Sequence, residues 1–304
     1  VATHSPIRTV RVPASTSNLG PGFDLLGLAL DLWLEARLMP AEVGTAGLVR
    51  LDPPLELPGD PASDLTWIAF EAARARWPFE GLHRIEVRSD IPVGRGLGSS
   101  GAAVAAGLLL ARMASGVDVP DEALLRLGVE LEGHPDNVAA ALTGGLTLCQ
   151  QRADGTWRTV SVEMSAEVGI AIAWPRTPLA TPQARAVLPA EVPFADAVEN
   201  PRRLAFLLEG LRRADGELIA IGCEDRLHVR YRLPLLPGSA RALERARAVG
   251  AWGATLSGAG SGLVALGPPE RMPAVATAMA AALREATGAG EGRVLAVAPG
   301  ARIV

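Results

Sequence analysis

Residues 91–111 read "IPVGRGLGSSGAAVAAGLLLA", and the fold turns on what that stretch does. Glycines at positions 94, 96 and 98 lead into Ser99 and Ser100, then into an almost wholly apolar run. The pattern predicts a tight turn opening a helix, from Ser99 or Ser100 to about Ala114. Such a helix, apolar nearly all round, belongs in the middle of a domain. A strand over 83–88, "HRIEVR", precedes it. Strand, glycine turn and helix start together present free amides at the positive end of a helix dipole, an arrangement suited to phosphate. Neither familiar phosphate loop fits. The Walker pattern needs a lysine, and all 29 basic residues of this 304-residue chain are arginines. The dinucleotide fingerprint needs a glycine where Ser99 stands, and Gly98 sits one place early. Amides, serine hydroxyls and a bound cation are left to hold phosphates. The plainer reading is a connector with Ser99 or Ser100 as a simple helix cap.

Outward from this stretch, "IRTVRV" (7–12) predicts a short strand ending at Pro13. Over 28–38 Leu30, Leu32, Leu34, Ala36 and Leu38 alternate with Asp31, Trp33, Glu35 and Arg37, the mark of a half-buried strand. Residues 40–63, rich in proline and glycine, are mostly loop with one short strand at most. Helices are expected over 63–77, from about Asp121 to the break at "GHP", and over 136–142, with a strand over 144–150. A second domain starts near residue 164. It holds a strand at 168–175, helices near 183–188 and 200–222, and the loop "RYRLPLLPG". A helix over 239–249, strands around the "GAGSG" turn, a helix over 270–286 and the strand "RVLAVAP" close the sequence. The order of elements favours an α+β sandwich over a doubly wound sheet, with domains of 1–163 and 164–304.

Three further segments carry chemistry. In "VELEGHPDNVAAALTGG" (129–145), Glu130 lies near the end of one helix, and Asp136 and Asn137 open the next across a sharp turn. A carboxylate aimed at the glycine loop would hold Mg²⁺ together with a loop serine. Alternatively Glu130 and Glu132 are solvated helix residues, Asp136 is an N-cap, and His134 is structural. In "PASTSNLGPGFDLLG" (13–27), Asn18 and Asp24 lie in a loop too polar to be core, able to bind an ammonium or hydroxyl group or simply to shape the loop. In "LSGAGSGLVAL" (256–266), a glycine turn joins two strands where a ligand or another backbone comes close.

Bulk properties narrow the class. Net charge is −4 and no dense basic run exists, so nucleic-acid binding is disfavoured. Two cysteines make neither a disulfide framework nor a metal cluster. The N-terminal segment lacks a signal peptide's apolar core, and apolar runs fall short of the ~20 residues that span a bilayer. A cytoplasmic protein without nucleic-acid or membrane partners is expected. Asparagine occurs only at 18, 137 and 200, which fits codon bias or, more weakly, a thermophilic source.

The four segments, in this order, resemble the GHMP kinase superfamily across essentially the whole chain. Its "PxGxGLGSSAA" phosphate loop corresponds to "PVGRGLGSSGA" here, and its "SGAGSG" motif is also present. Within that superfamily, "PASTSNLGPGFDLLGLAL", "ELEGHPDNVAAALTGG" and "LATPQARAVLP" with "RYRLPLLPG" are similar to the homoserine kinase family. The resemblance implies a two-domain α+β fold. The N-terminal domain would contain a left-handed βαβ crossover, and the C-terminal one would be a ferredoxin-like α/β sandwich. It implies phosphorylation of L-homoserine by ATP with Mg²⁺, in threonine biosynthesis, by a cytoplasmic enzyme that commonly forms homodimers.

Carried over position by position, the resemblance assigns ATP to Pro92, Gly94, Gly96, Leu97, Gly98, Ser99, Ser100 and Gly101. Mg²⁺ falls to Ser100 and Glu130. The substrate falls to Asn18, Asp24, His134, Asn137, Thr181, Arg185, Arg232 and Gly260, with Arg230 two residues from Arg232 as the other candidate. Asn137 would orient the reacting hydroxyl, and Asp136 is the carboxylate to weigh as a base. Asp64 stands where the family has an asparagine near adenine, so its contact with the nucleotide is open. The rivals are a superfamily kinase for mevalonate or a sugar, a non-catalytic binding module and, distantly, a dehydrogenase.

Overall fold

The structure is a computed structural model, and it describes residues 8–51 and 61–304 (Pro61 by its backbone alone). The first residue of the expected strand 7–12, and most of the proline-rich stretch after residue 51, lie outside the described residues.

The N-terminal unit is a sheet backed by helices. Its elements are β1 (Arg8–Asn18), β2 (Gly22–Pro40), β3 (Gly47–Arg50), α1 (Leu65–Arg76), β4 (His83–Ser89), α2 (Ser99–Ser115), α3 (Asp121–Glu132), α4 (Asp136–Thr143), β5 (Leu146–Gln151) and β6 (Trp157–Val162). The alternation in β2 holds: Leu30, Leu32, Leu34, Ala36 and Leu38 are buried, whereas Asp31 and Arg37 face solvent. β2 is long enough to serve two partners. Residues 34–40 pair antiparallel with β4, and residues 26–28 with β5. Pro13 removes a ladder donor, and the β1–β2 register shifts there. β3 and β4 pair in parallel, with α1 between them in sequence. Helix α2 crosses the centre of this unit with every residue from Gly101 to Ala111 buried, as its all-round apolarity requires.

The second unit begins at β7 (Gly169–Pro175). It continues through α5 (Thr181–Ala186), α6 (Phe194–Arg213), α7 (Gly216–Gly222), α8 (Val229–Arg232), α9 (Ser239–Ala248), β8 (Gly253–Leu256), β9 (Leu263–Gly267), α10 (Met272–Thr287) and β10 (Gly290–Leu295). Its sheet order is β10-β7-β9-β8, antiparallel throughout. That is the ferredoxin-like βαββαβ arrangement. Ala-rich faces of this sheet and of α9 and α10 form its own core.

Four expectations need correction. The strand expected to end at Pro13 runs through it to Asn18, because β2 pairs with it past the register shift. Asn18 and Asp24, expected in a polar loop, lie on β1 and β2, and Asn18 is buried. The single helix over 200–222 is two helices, because Ala214 adopts a left-handed conformation and Asp215 caps α7 through Glu217 N and Leu218 N. The segment "RYRLPLLPG", expected as a loop, begins inside the short helix α8. Nor does the second unit run to residue 304. After β10 the chain returns to the first sheet, where Val297 bridges Leu30, Pro299 bridges Gly144, and β11 (Arg302–Ile303) pairs with β1. Among the described residues no helix is long and apolar enough to cross a membrane.

Candidate active site

A cavity of about 320 Å³ lies where the two units meet. The glycine turn and the start of α2 line one side, and Asp24, His134, Asp136, Asn137, Thr181, Arg185, Arg232 and Gly260 line the rest. Most of the residues read from sequence therefore converge. Pro92 and Gly101 are not in this lining: Pro92 faces a second cavity behind the loop. At Gly101 a Cβ would sit 2.9 Å from Asn137 Cβ, so the glycine serves to seat α2 against α4.

The loop is clamped from both units. Gly96 and Gly98 have φ of +66° and +65°, a region that costs any other L-residue energy. Space forbids a side chain as well. A Cβ at Gly96 would lie 2.0 Å from Ser257 O, and one at Gly98 would lie 2.1 Å from Ser15 Oγ. Ser257 Oγ donates to Gly96 O at 2.6 Å, Ser15 N to Leu97 O at 3.1 Å and Gly262 N to Arg95 O at 3.1 Å. The C-terminal "SGAGSG" turn thus supports the loop from behind. Helix α2 is capped by Gly98 without any side-chain bond, so neither Ser99 nor Ser100 acts as a cap.

Ser100 instead points across to α3, where its Oγ donates to Glu132 Oε2 at 2.9 Å. This corrects the assignment of Glu130. Its carboxylate accepts from Arg126 Nε at 3.1 Å one helical turn back, on the exposed face of α3. Glu132, two residues on, is rotated by about 200° to the opposite face and its side chain is only 5% exposed. Burial raises the pKa of Glu132 above the ordinary carboxylate value, opposed by His134 and by the Ser100 hydrogen bond.

Asp136 and Asn137 open α4 and are both buried. Pro135 holds the cap position, so Asp136 is not the N-cap. Asp136 Oδ1 accepts from Asn137 N (2.7 Å) and Asn137 Nδ2 (3.0 Å), and lies 3.0 Å from His134 Nδ1. Burial disfavours the His134 cation, but Asp136, by hydrogen bond and charge, and Glu132 outweigh it and raise its pKa. The Asn137 amide is fixed from the sheet side: Ser15 Oγ donates to its Oδ1 at 2.9 Å, and its Nδ2 donates to Ser17 Oγ at 3.1 Å. Sequence alone does not single out these two serines; their alternation on β1 is the available signal.

On the far side Arg185 donates to both oxygens of Asp24, Nη2 to Oδ1 at 2.7 Å and Nη1 to Oδ2 at 3.0 Å. Asn18 is used internally, its Oδ1 accepting from Asp24 N and its Nδ2 donating to Gly258 O. It holds Asp24, and both residues adopt positive φ (67° and 54°), a strained conformation that this hydrogen bonding maintains. Arg232 is 1% exposed and lines the cavity. Burial lowers its pKa to about 10, with the neighbouring Arg185 cation adding to the shift. Arg230 points the other way, pairing with Asp196 and Tyr231 at the surface. Asp64 caps α1 through Thr66 N and binds Arg50, a lining residue that the sequence reading missed.

The chain matches the family "GHMP kinases N terminal domain" over residues 64–145 and "GHMP kinases C terminal" over 207–285. A homoserine kinase of Synechococcus sp. is 41% identical over 277 residues, spanning 89% of this chain and 87% of the relative. One from Prochlorococcus marinus is 41% identical over 278 residues, spanning 89% and 86%. The crystal structure of homoserine kinase from Cytophaga hutchinsonii superposes with a TM-score of 0.84 at 25% identity, covering 100% of this chain and 99% of that one. With both family halves matched in order and relatives this similar over nearly their full length, the chain belongs to the GHMP kinase family, in its homoserine kinase branch.

Proposed function

We propose that this chain transfers the terminal phosphoryl group of ATP to the side-chain hydroxyl of L-homoserine, giving O-phospho-L-homoserine for threonine biosynthesis. The observation that carries this reading is the Asp24–Arg185 pair, set across one cavity from the glycine loop. A zwitterionic amino acid needs a carboxylate for its ammonium and a guanidinium for its carboxylate. Asp24, Arg185 and Arg232 offer both. Mevalonate has no ammonium, so Asp24 would have no substrate cation to bind and would serve only to pair with Arg185.

The homoserine oxygen bonds to the γ-phosphorus as the bond to the β-bridging oxygen breaks. ADP leaves, and the hydroxyl proton passes to solvent or to the transferred phosphate. Loop amides and the start of α2 cradle phosphate oxygens. Ser100 and Glu132 are hard oxygen donors side by side beside that loop. Among the described residues no cluster of three acidic, histidine or cysteine side chains exists to cage a metal. Both facts suit Mg²⁺, which takes one or two protein ligands and completes its shell with phosphates and water. When bound, that ion neutralises charge on the phosphates. Asn137, immobilised by Ser15 and Ser17, orients the hydroxyl; Asp136 orients Asn137 and His134 rather than acting as a strong base. Phosphoryl transfer has a loose transition state, for which positioning supplies much of the rate.

The test is a coupled ADP-release assay over a panel of homoserine, mevalonate and sugars. Turnover of another alcohol in preference to homoserine would replace this reading. Asp24→Asn and Arg185→Ala should each raise the homoserine KM by more than about 10-fold with the ATP KM within about twofold. The double variant should fall well short of the product of the two effects, because the residues share one interaction. Asp136→Asn should lower kcat by no more than about 100-fold; complete loss with both substrates still bound would make Asp136 the base. The homodimer implied by the family is testable by light scattering.

A further inference from the structure

His228 is completely buried, lies outside the reacting centre and has its two ring nitrogens on opposite tasks. Nε2 is 2.8 Å from Gly20 O, a carbonyl that can only accept. Nδ1 is 3.0 Å from Arg232 Nη1, a guanidinium nitrogen that can only donate. Only one protonation state satisfies both contacts: a neutral ring with its proton on Nε2. A protonated ring would turn an N–H toward a cation.

The surroundings agree. Asp225 Oδ2 accepts from the backbone N–H groups of Leu227, His228 and Val229, which fixes the turn that presents the ring. Asp225 Oδ1 is buried without a hydrogen-bond partner among the described residues, 3.7 Å from His228 Nε2, and its charge favours the proton on that nitrogen. Phe23 packs against the imidazole at 5.1 Å between ring centroids, and the same ring lies under Arg185 and Arg232. Asn200 Nδ2 donates to Pro21 O and its Oδ1 accepts from Arg226 N, a second tie between the same two segments.

We infer that His228 is a positioning residue for substrate binding: as the neutral Nε2–H tautomer it accepts from Arg232 and donates to Gly20, joining the substrate-facing arginine to the loop that carries Asp24. Arg232 Nε donates to Ala184 O and its Nη1 reaches Gly258 O at 3.4 Å. Without Nδ1 the guanidinium keeps contacts to main-chain carbonyls but loses the acceptor that sets its rotation about the site. The charged groups facing the ring are Asp225, Arg232 and, across Phe23, Asp24. Burial, assisted by Arg232, lowers the His228 pKa against the pull of Asp225. The neutral form is therefore retained at neutral pH, and its contribution is lost only as pH falls below the ordinary histidine value toward the depressed one.

The role of Arg232 in amino-acid binding rests on the function proposed above, and the test separates the two. In His228→Asn the side-chain oxygen stands near Nδ1 and still accepts from Arg232; in His228→Gln the amide stands near Nε2 and still donates to Gly20. His228→Gln should raise the homoserine KM by about 10-fold or more with the ATP KM within about twofold, and His228→Asn should restore most of that loss. The reverse order, with Asn impaired and Gln near wild type, would show a loop tether only and overturn the inference. Nitrogen-15 NMR of the unmodified protein at pH 7 should show His228 protonated on Nε2 alone. A proton on Nδ1, or on both nitrogens, also overturns it, whether or not either variant folds. If homoserine is not turned over, the function proposal fails on its own. The NMR result still stands, and the KM comparison is then read on whichever panel alcohol reacts.

Discussion

Glu132→Ala is expected to retain about 1% of wild-type kcat or less, a loss comparable with removing a key stabilising donor from a charge-developing site. Glu130→Ala is expected to stay within about twofold of wild type, since an exposed i,i+4 ion pair contributes only a few tenths of a kcal/mol. The contrast follows from helix phase. Glu132 shares the inner face of α3 with Leu125 and Gly128 and meets Ser100, whereas Glu130 shares the outer face with Arg126. A metal titration adds the diagnostic readout: Glu132→Ala should need much more Mg²⁺ for half-maximal rate, with the homoserine KM little changed. If Glu130→Ala were the damaged variant, the assignment of Ser100 and Glu132 as the metal pair would be wrong.

The second large effect is at the glycine turn. Gly98→Ala should destabilise the protein by about 2–4 kcal/mol, combining the left-handed backbone penalty with overpacking. It should also cut kcat/KM for ATP by about 100-fold, because the loop must shift to admit the methyl group. Gly116→Ala is the control. Gly116 has the same φ of +65° at the end of α2, but among the described residues nothing lies within 4 Å of its would-be Cβ. Backbone strain alone, about 1 kcal/mol, is expected there, with unchanged kinetics. Urea unfolding midpoints and initial rates measure both. Equal costs at the two sites would mean that the contacts of Gly98 with Ser15 and Asn137 carry no energetic weight.

The fold was largely legible because its signals are local. The β2 alternation and the uninterrupted apolarity of α2 each state their own structure. The site was legible in its segments but not in its exact members. Glu130 and Glu132 differ only in phase, and the phase was readable from Leu124, Leu125, Leu127 and Gly128, the buried residues of α3. Arg230 and Arg232 pose the same problem on α8, too short a helix to show a face in sequence. The pairing of Asp24 with Arg185 spans 161 positions and leaves no local trace. Nor does the fixing of Asn137 by Ser15 and Ser17. The β6 strand has no apolar alternation to announce it, since half its residues are exposed at a sheet edge.

The return of residues 297–303 to the first sheet has a consequence for biogenesis. Val10 pairs with Ile303, so β1 waits for a partner strand that is made only after the whole second unit. The same segment lies tightly over the end of α4: Ala301 N donates to Ala141 O, and a Cβ on Gly144 would sit 2.0 Å from Gly300 N. During synthesis the N-terminal unit therefore exists with an unpaired β1 edge and an unbraced α4, the helix that carries Asp136 and Asn137. An exposed strand edge invites pairing with other chains. That edge stays open, and α4 stays without this brace, until residues 297–303 close on β1 and on the end of α4.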